Sequence, residues 1–136
     1  MSIDLFSNVN LLQKGLQVSQ LRHDVIANNI ANVDTPGFKA SHVEFESYMA
    51  QALDEDSQPF VASTTNARHI AFGASSAQDV QPRVVTDEST SMRMDENNVD
   101  VDAQMSELAK NQIYFNTVAR QISGELSRLK MAIEGK

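Results

Sequence analysis

Residues 101–133 read VDAQMSELAKNQIYFNTVARQISGELSRLKMAI, and two apolar rows run through them. Val101, Leu108, Phe115, Ile122 and Leu129 stand seven apart, and Met105, Gln112, Ala119, Leu126 and Ile133 repeat the spacing four residues later. This alternation of four and three is the step of a coiled-coil seam. A second copy of the pattern opens the chain. Leu5, Leu12, Ser19, Ile26 and Val33 form one row there, and Val9, Leu16, His23 and Ile30 form the other. Two long stripes, each apolar on one side, bury themselves against each other or against the same stripes of neighbouring chains. The spacing therefore predicts a mainly α fold: two long terminal helices paired as an antiparallel coiled-coil hairpin, with an irregular or partly β polar segment between them.

The expected divisions are an N-terminal helix over residues 1–35, a turn, short helix and loop-rich middle over 36–98, and a C-terminal helix over 99–136. The first helix spans about Ile3 to Val33, with Leu11, Val18 and Val25 as a flanking row. Gly15 is its weak point, since an interior glycine costs on the order of 1 kcal/mol relative to alanine. Ser19 and His23 set polar groups into the seam, where His23 is read as a residue that fixes register. The helix stops at Asp34-Thr35-Pro36-Gly37-Phe38. Proline disfavours helical geometry at Thr35, and Gly37 accepts the positive φ of the third position in a type II turn.

Between Lys39 and Leu53 the set Val43, Phe45, Met49, Ala52 and Leu53 predicts a shorter helix. Pro59 to Val85 carries only short apolar runs, Phe60-Val61, His69 to Phe72 and Val84-Val85, and Met92-Arg93-Met94 reads as a brief extended segment. Asp95, Glu96, Asp100 and Asp102 precede the last helix, where negative charge meets the helix dipole favourably and Asp100 or Asp102 is placed to cap it. That helix, from about Val101 to Ile133, is about 50 Å long at 1.5 Å per residue. One face of such length cannot be buried inside a domain of this size, so neighbours are implied. Gly124 lies off its seam.

Composition narrows the function. Eighteen acidic against eleven basic residues give a formal charge of −7, which opposes binding to nucleic-acid phosphates or anionic lipid heads. There is no cysteine, hence no disulfide and no thiolate metal site. The N-terminus lacks a basic leader and a cleavage site, and no window approaches the roughly 18 apolar residues of a membrane span, so direct membrane insertion is not expected. His23, His42 and His69 lie far apart in the sequence, without metal-ligand spacing. A calcium loop begun at Asp95 would need glycine sixth and glutamate twelfth, but finds Asp100 and Ser106. No nucleophile elbow or phosphate-binding glycine loop is present. Neither catalysis nor a cofactor or metal is expected. The amides of Asn28, Asn29 and Asn32 leave two readings open: a fraying last turn capped by Asn32, or groups that hydrogen-bond the backbone of a neighbouring chain.

The run Ala27-Asn28-Asn29-Ile30-Ala31-Asn32-Val33-Asp34-Thr35-Pro36-Gly37-Phe38-Lys39 closely resembles the N-terminal signature of bacterial flagellar axial proteins, the rod and hook group. Within that group the chain is similar to the short basal-body rod proteins of the proximal rod. Thr65 to Ile70, Asn97 to Asp102 and Glu107 to Asn116 support the match, while Ala74 to Val85 stays outside it. Phe38 stands where relatives often carry tyrosine, keeping the ring and dropping a hydroxyl. The resemblance tips the reading of the amides toward interaction. It implies a non-catalytic subunit whose terminal helices build an inner α-helical tube of a rod crossing the periplasm in the flagellar basal body. It further implies export through the flagellar type III apparatus without signal cleavage. The partners it implies are further copies, other rod subunits, and basal-body base and export-gate proteins. The turn at Asp34 to Phe38 would then carry the middle segment out of the tube. A soluble coiled-coil adaptor or export chaperone is the alternative from another class.

Overall fold

The computed structural model describes residues 7–53, 80–88 and 94–135. The chain divides into two compact units, Met1–Val43 with Val84–Lys136, and Glu44–Arg83. In the first, helix α1 (Ser7–Ala31, 25 residues) lies along helix α3 (Val101–Glu134, 34 residues). At 1.5 Å per residue they are about 38 and 51 Å long. Gly15 meets Val118, Ser19 meets Asn111 and Asn29 meets Gln104, so the partner number falls as the helix advances. The pair is an antiparallel hairpin, as the heptads predict.

Both helices end for local reasons. Asp100 caps α3, its carboxylate accepting from the N–H groups of Asp102 and Ala103 at 3.0 and 3.2 Å. Gly135, at φ +67°, closes the other end by donating to the Met131 carbonyl. Helix α1 stops at Ala31, short of the expected Val33, because its last bonds tighten: Val33 N–H reaches Ile30 O, three residues back. Gly37 follows at φ +71°, and Phe38 N–H donates to Thr35 O at 3.3 Å, the bond and the φ of a type II turn.

The helix expected from Lys39 begins later. Ser41–Glu44 is a strand, β1, and the helix α2 covers only Glu46–Leu53. Strand β1 pairs with β2 (Arg83–Thr86). Asp87 N–H donates to Ala40 O and the hydroxyls of Ser41 and Thr86 lie 3.0 Å apart, so the strands are antiparallel. Four residues alternating about Val43 carry too weak a period to outweigh the helical spacing that continues through Phe45 and Met49. In the second unit Phe45, Met49 and Val80 are buried. Leu5, the runs at Phe60-Val61 and His69 to Phe72, and Met92-Arg93 lie outside the described residues. Met94 opens a turn.

Candidate functional site

The two long helices carry the candidate site, and its first property is rotational phase. On α3 the buried or half-buried residues are Gln104, Leu108, Asn111, Phe115, Val118, Ala119, Ile122, Glu125 and Leu129. One predicted row, Leu108, Phe115, Ile122 and Leu129, is therefore in the seam. The second row is not Met105, Gln112, Ala119 and Leu126 but the residues one position earlier. Met105 is 51 % exposed, Leu126 50 % and Ile133 85 %, with Val101 exposed as well.

Helix α1 makes the same shift. Ile26 and Ser19 are buried, with Leu12 and Val33 half-buried. Their companions are Gly15, Arg22 and Asn29 rather than Val9, Leu16, His23 and Ile30. Gly15 and Asn29 are buried, whereas Val9, Leu16 and Ile30 are half-buried, as is Arg22, and Val18 of the flanking row is fully buried. His23 is exposed beside Asp24, 3.6 Å away, so it is not the polar residue of the seam. That place belongs to Ser19. Because the helices are antiparallel and both turn in the same sense about their own axes, the two displaced rows emerge on the same face of the hairpin.

Polar groups hold the phase. Ser19 Oγ donates to Asn111 Oδ1 at 2.9 Å, and Asn111 Nδ2 donates back to Ser19 O at 2.9 Å. Both residues are buried, Ser19 to 1 % exposure and Asn111 to 6 %. Gly15 permits the close approach beside them: a Cβ there would lie 3.1 Å from the Tyr114 hydroxyl.

The signature segment has one inward member. Asn29, with no exposed surface, donates from Nδ2 to Ser41 O and to Gln104 Oε1, while its Oδ1 accepts from Ser41 N–H. Donor and acceptor thus meet Ser41 as a neighbouring strand would, on the edge of β1 that β2 leaves open. Arg22, one heptad earlier, donates to Val43 O at 3.3 Å. Asparagine is a poor helix former, and this geometry explains its presence. The backbone it bonds is that of its own chain. Ala27, Asn28, Ala31, Asp34, Thr35, Pro36 and Gly37 are exposed, while Ile30, Asn32, Val33 and Phe38 are half-buried.

Asn97 completes the corner. It has no exposed surface, and its Nδ2 donates to the carbonyls of Asn32, Val33 and Thr35 at 3.0, 3.0 and 2.9 Å. Those carbonyls belong to the turn that follows α1, so a residue just before α3 holds the chain where it leaves α1. Its Oδ1 accepts from Val99 N–H at 2.7 Å. Asn98 accepts from Ala40 N–H and donates to Asp87 O, joining the two strands. Gly37 N–H donates to Asp95 O at 2.8 Å. The Asn97 to Asp102 run singled out from the sequence is thus the clasp of the hairpin. The resemblance singled out this run; the targets of its amides were not legible, because they lie across the fold. Among the described residues no three acidic or histidine side chains converge on a metal-sized point, and no helix is long and apolar enough to cross a membrane.

A family model described as Flagella basal body rod protein matches residues 10–39, the stretch from α1 through the turn. The chain is 37% identical over 134 residues to the flagellar basal body rod protein FlgB of Bacillus subtilis, covering 98% of each chain. It is 36% identical over 115 residues to the protein of that name from Borreliella burgdorferi, covering 83% of this chain and 85% of that one. Identity to the Escherichia coli K12 protein is 28% over 127 residues, covering 90% and 89%.

Proposed function

The chain belongs to the flagellar basal body rod proteins, structural components of the flagellum and not enzymes, and on that premise we propose that it is a proximal-rod subunit assembling helically through its terminal helices. One observation carries the reading. The hairpin leaves Met105, Leu126 and Ile133 of α3 exposed, and beside them on the same side Val9, Leu16 and Ile30 of α1 are only half-buried. A second copy laid against that side completes the burial of the shared row Leu108, Phe115, Ile122 and Leu129, each half-buried in the single chain. Helices packed on several sides form a stiff shaft, which torque transmission requires.

In this reading residues 1–35 and 99–136 form the shaft, and 36–98 lie outside it. The signature residues Ala27 to Phe38 direct the chain outward at the turn. The partners are further copies, other rod subunits, and the base and export-gate proteins of the basal body. The site of action is the rod crossing the periplasm, reached by flagellar export without signal cleavage.

Electron microscopy of basal bodies from a deletion strain tests it. Loss of the rod with the membrane ring still present is the expected result, restored by the wild-type chain and not by Met105→Gln/Leu126→Gln. A discrete soluble oligomer that never co-purifies with detergent-extracted basal bodies would instead favour a cytosolic adaptor.

A further inference from the structure

Either of two phases would seal the hairpin. Three rows of α3 lie in or beside the seam, with Leu108, Phe115, Ile122 and Leu129 in the middle. One flank is Gln104, Asn111, Val118 and Glu125; the other is Met105, Gln112, Ala119, Leu126 and Ile133. On α1 the choice lies between Gly15, Arg22 and Asn29 on one side and Val9, Leu16, His23 and Ile30 on the other. On α3, burial of apolar area alone favours the second flank, for it holds the less polar side chains; on α1 the adopted phase gains Val18 in exchange for Leu16 and Ile30. The chain adopts the first.

We infer that the buried pairs Ser19–Asn111 and Asn29–Gln104 are a register lock that selects the polar phase and so keeps the Met105, Leu126 and Ile133 row outside, open to a second copy of the chain. The bonds that would do this are reciprocal. Asn111 and Ser19 exchange two hydrogen bonds, and Asn29 ties Gln104 to the backbone of Ser41. Rotating α3 by one row would break the Ser19–Asn111 exchange and take Gln104 from the second hydrogen of the Asn29 amide, leaving buried polar groups unpaired, a heavier penalty than leaving methionine and leucine in water. A polar residue inside a helical seam sets register at a cost in stability, and here it also sets which surface remains for assembly. That the outer row receives a second copy rests on the rod reading above; the choice of phase does not.

Because the chain has no cysteine, single thiols report the phase cleanly. Met105→Cys and Val118→Cys are introduced separately into the full chain, and maleimide labelling is followed on dilute protein. With the lock intact, the thiol at position 105 labels fast and that at 118 slowly. In the Ser19→Ala/Gln104→Ala/Asn111→Ala background, which removes both pairs and adds no large apolar side chain to the inner flank, the two rates exchange, each moving by at least about tenfold as buried and open positions trade places. Rates that stay as they were, or that both become fast while circular dichroism still reports the helices, overturn the inference. A second variant guards against a chain that does not fold. Gln112→Leu, at an exposed position, makes the outer flank more apolar while leaving the lock in place. The inference expects the original labelling order there; an exchange of rates caused by Gln112→Leu alone overturns it. Neither readout depends on assembly, so a failure here leaves the rod reading to its own test.

Discussion

Asn97 shows how much one amide can hold. Its Nδ2 serves three carbonyls of the turn that follows α1 from a position adjoining α3, so truncation would loosen that turn and the approach to α3 at once. Asn97→Ala should cost about 2–3 kcal/mol in urea unfolding, the range for buried groups left without partners. Asn97→Asp should cost at least as much, since a carboxylate keeps the acceptor for Val99 but points a second oxygen at carbonyls. Gly15 makes a different case. Its weakness as a helix residue is plain from its type, yet its use depends on Tyr114, whose hydroxyl would meet an added Cβ at 3.1 Å. Gly15→Ala combined with Tyr114→Phe should raise thermal stability by up to about 1 kcal/mol, the gain in helix propensity, and Gly15→Ala alone by less. The residue type announced the cost; only the neighbour explains why it is tolerated.

Among the elements, the ends of the helices follow from short-range chemistry. Asp100 before Val101, Pro36-Gly37 after α1 and Gly135 after α3 act on groups within four residues of themselves. Asp100→Ala should therefore cost about 1 kcal/mol, read as faster hydrogen exchange confined to the first turn of α3. Gly37→Ala should cost about 1–2 kcal/mol, because Gly37 sits in the left-handed region that a Cβ disfavours. Strand β1 is the counterexample. Ser41–Glu44 is extended because β2 lies on one edge and the amide of Asn29 on the other, and both are distant in sequence. Nothing in four residues records that, so the local pattern read as the start of a helix.

Among the described residues, Met105, Leu126 and Ile133 stand exposed along one long helix, on a chain of net charge −7. Copies approaching through that row repel one another, and the repulsion is screened as the Debye length falls from about 30 Å at 0.01 M to about 10 Å at 0.1 M salt. Sedimentation of the purified chain should show association that tightens across this range and is lost in Met105→Gln/Leu126→Gln, while the variant's monomer keeps its melting point. Two long helices, their antiparallel pairing and the sharp stop at Pro36-Gly37 were all readable beforehand, since period, spacing and backbone preference are properties of neighbouring residues. The phase of the seam was not. Periodicity marks an arc of apolar residues but not which half of it a partner covers, and that choice was made by Ser19, Asn29, Gln104 and Asn111, whose hydrogen bonds exist only once distant segments have met.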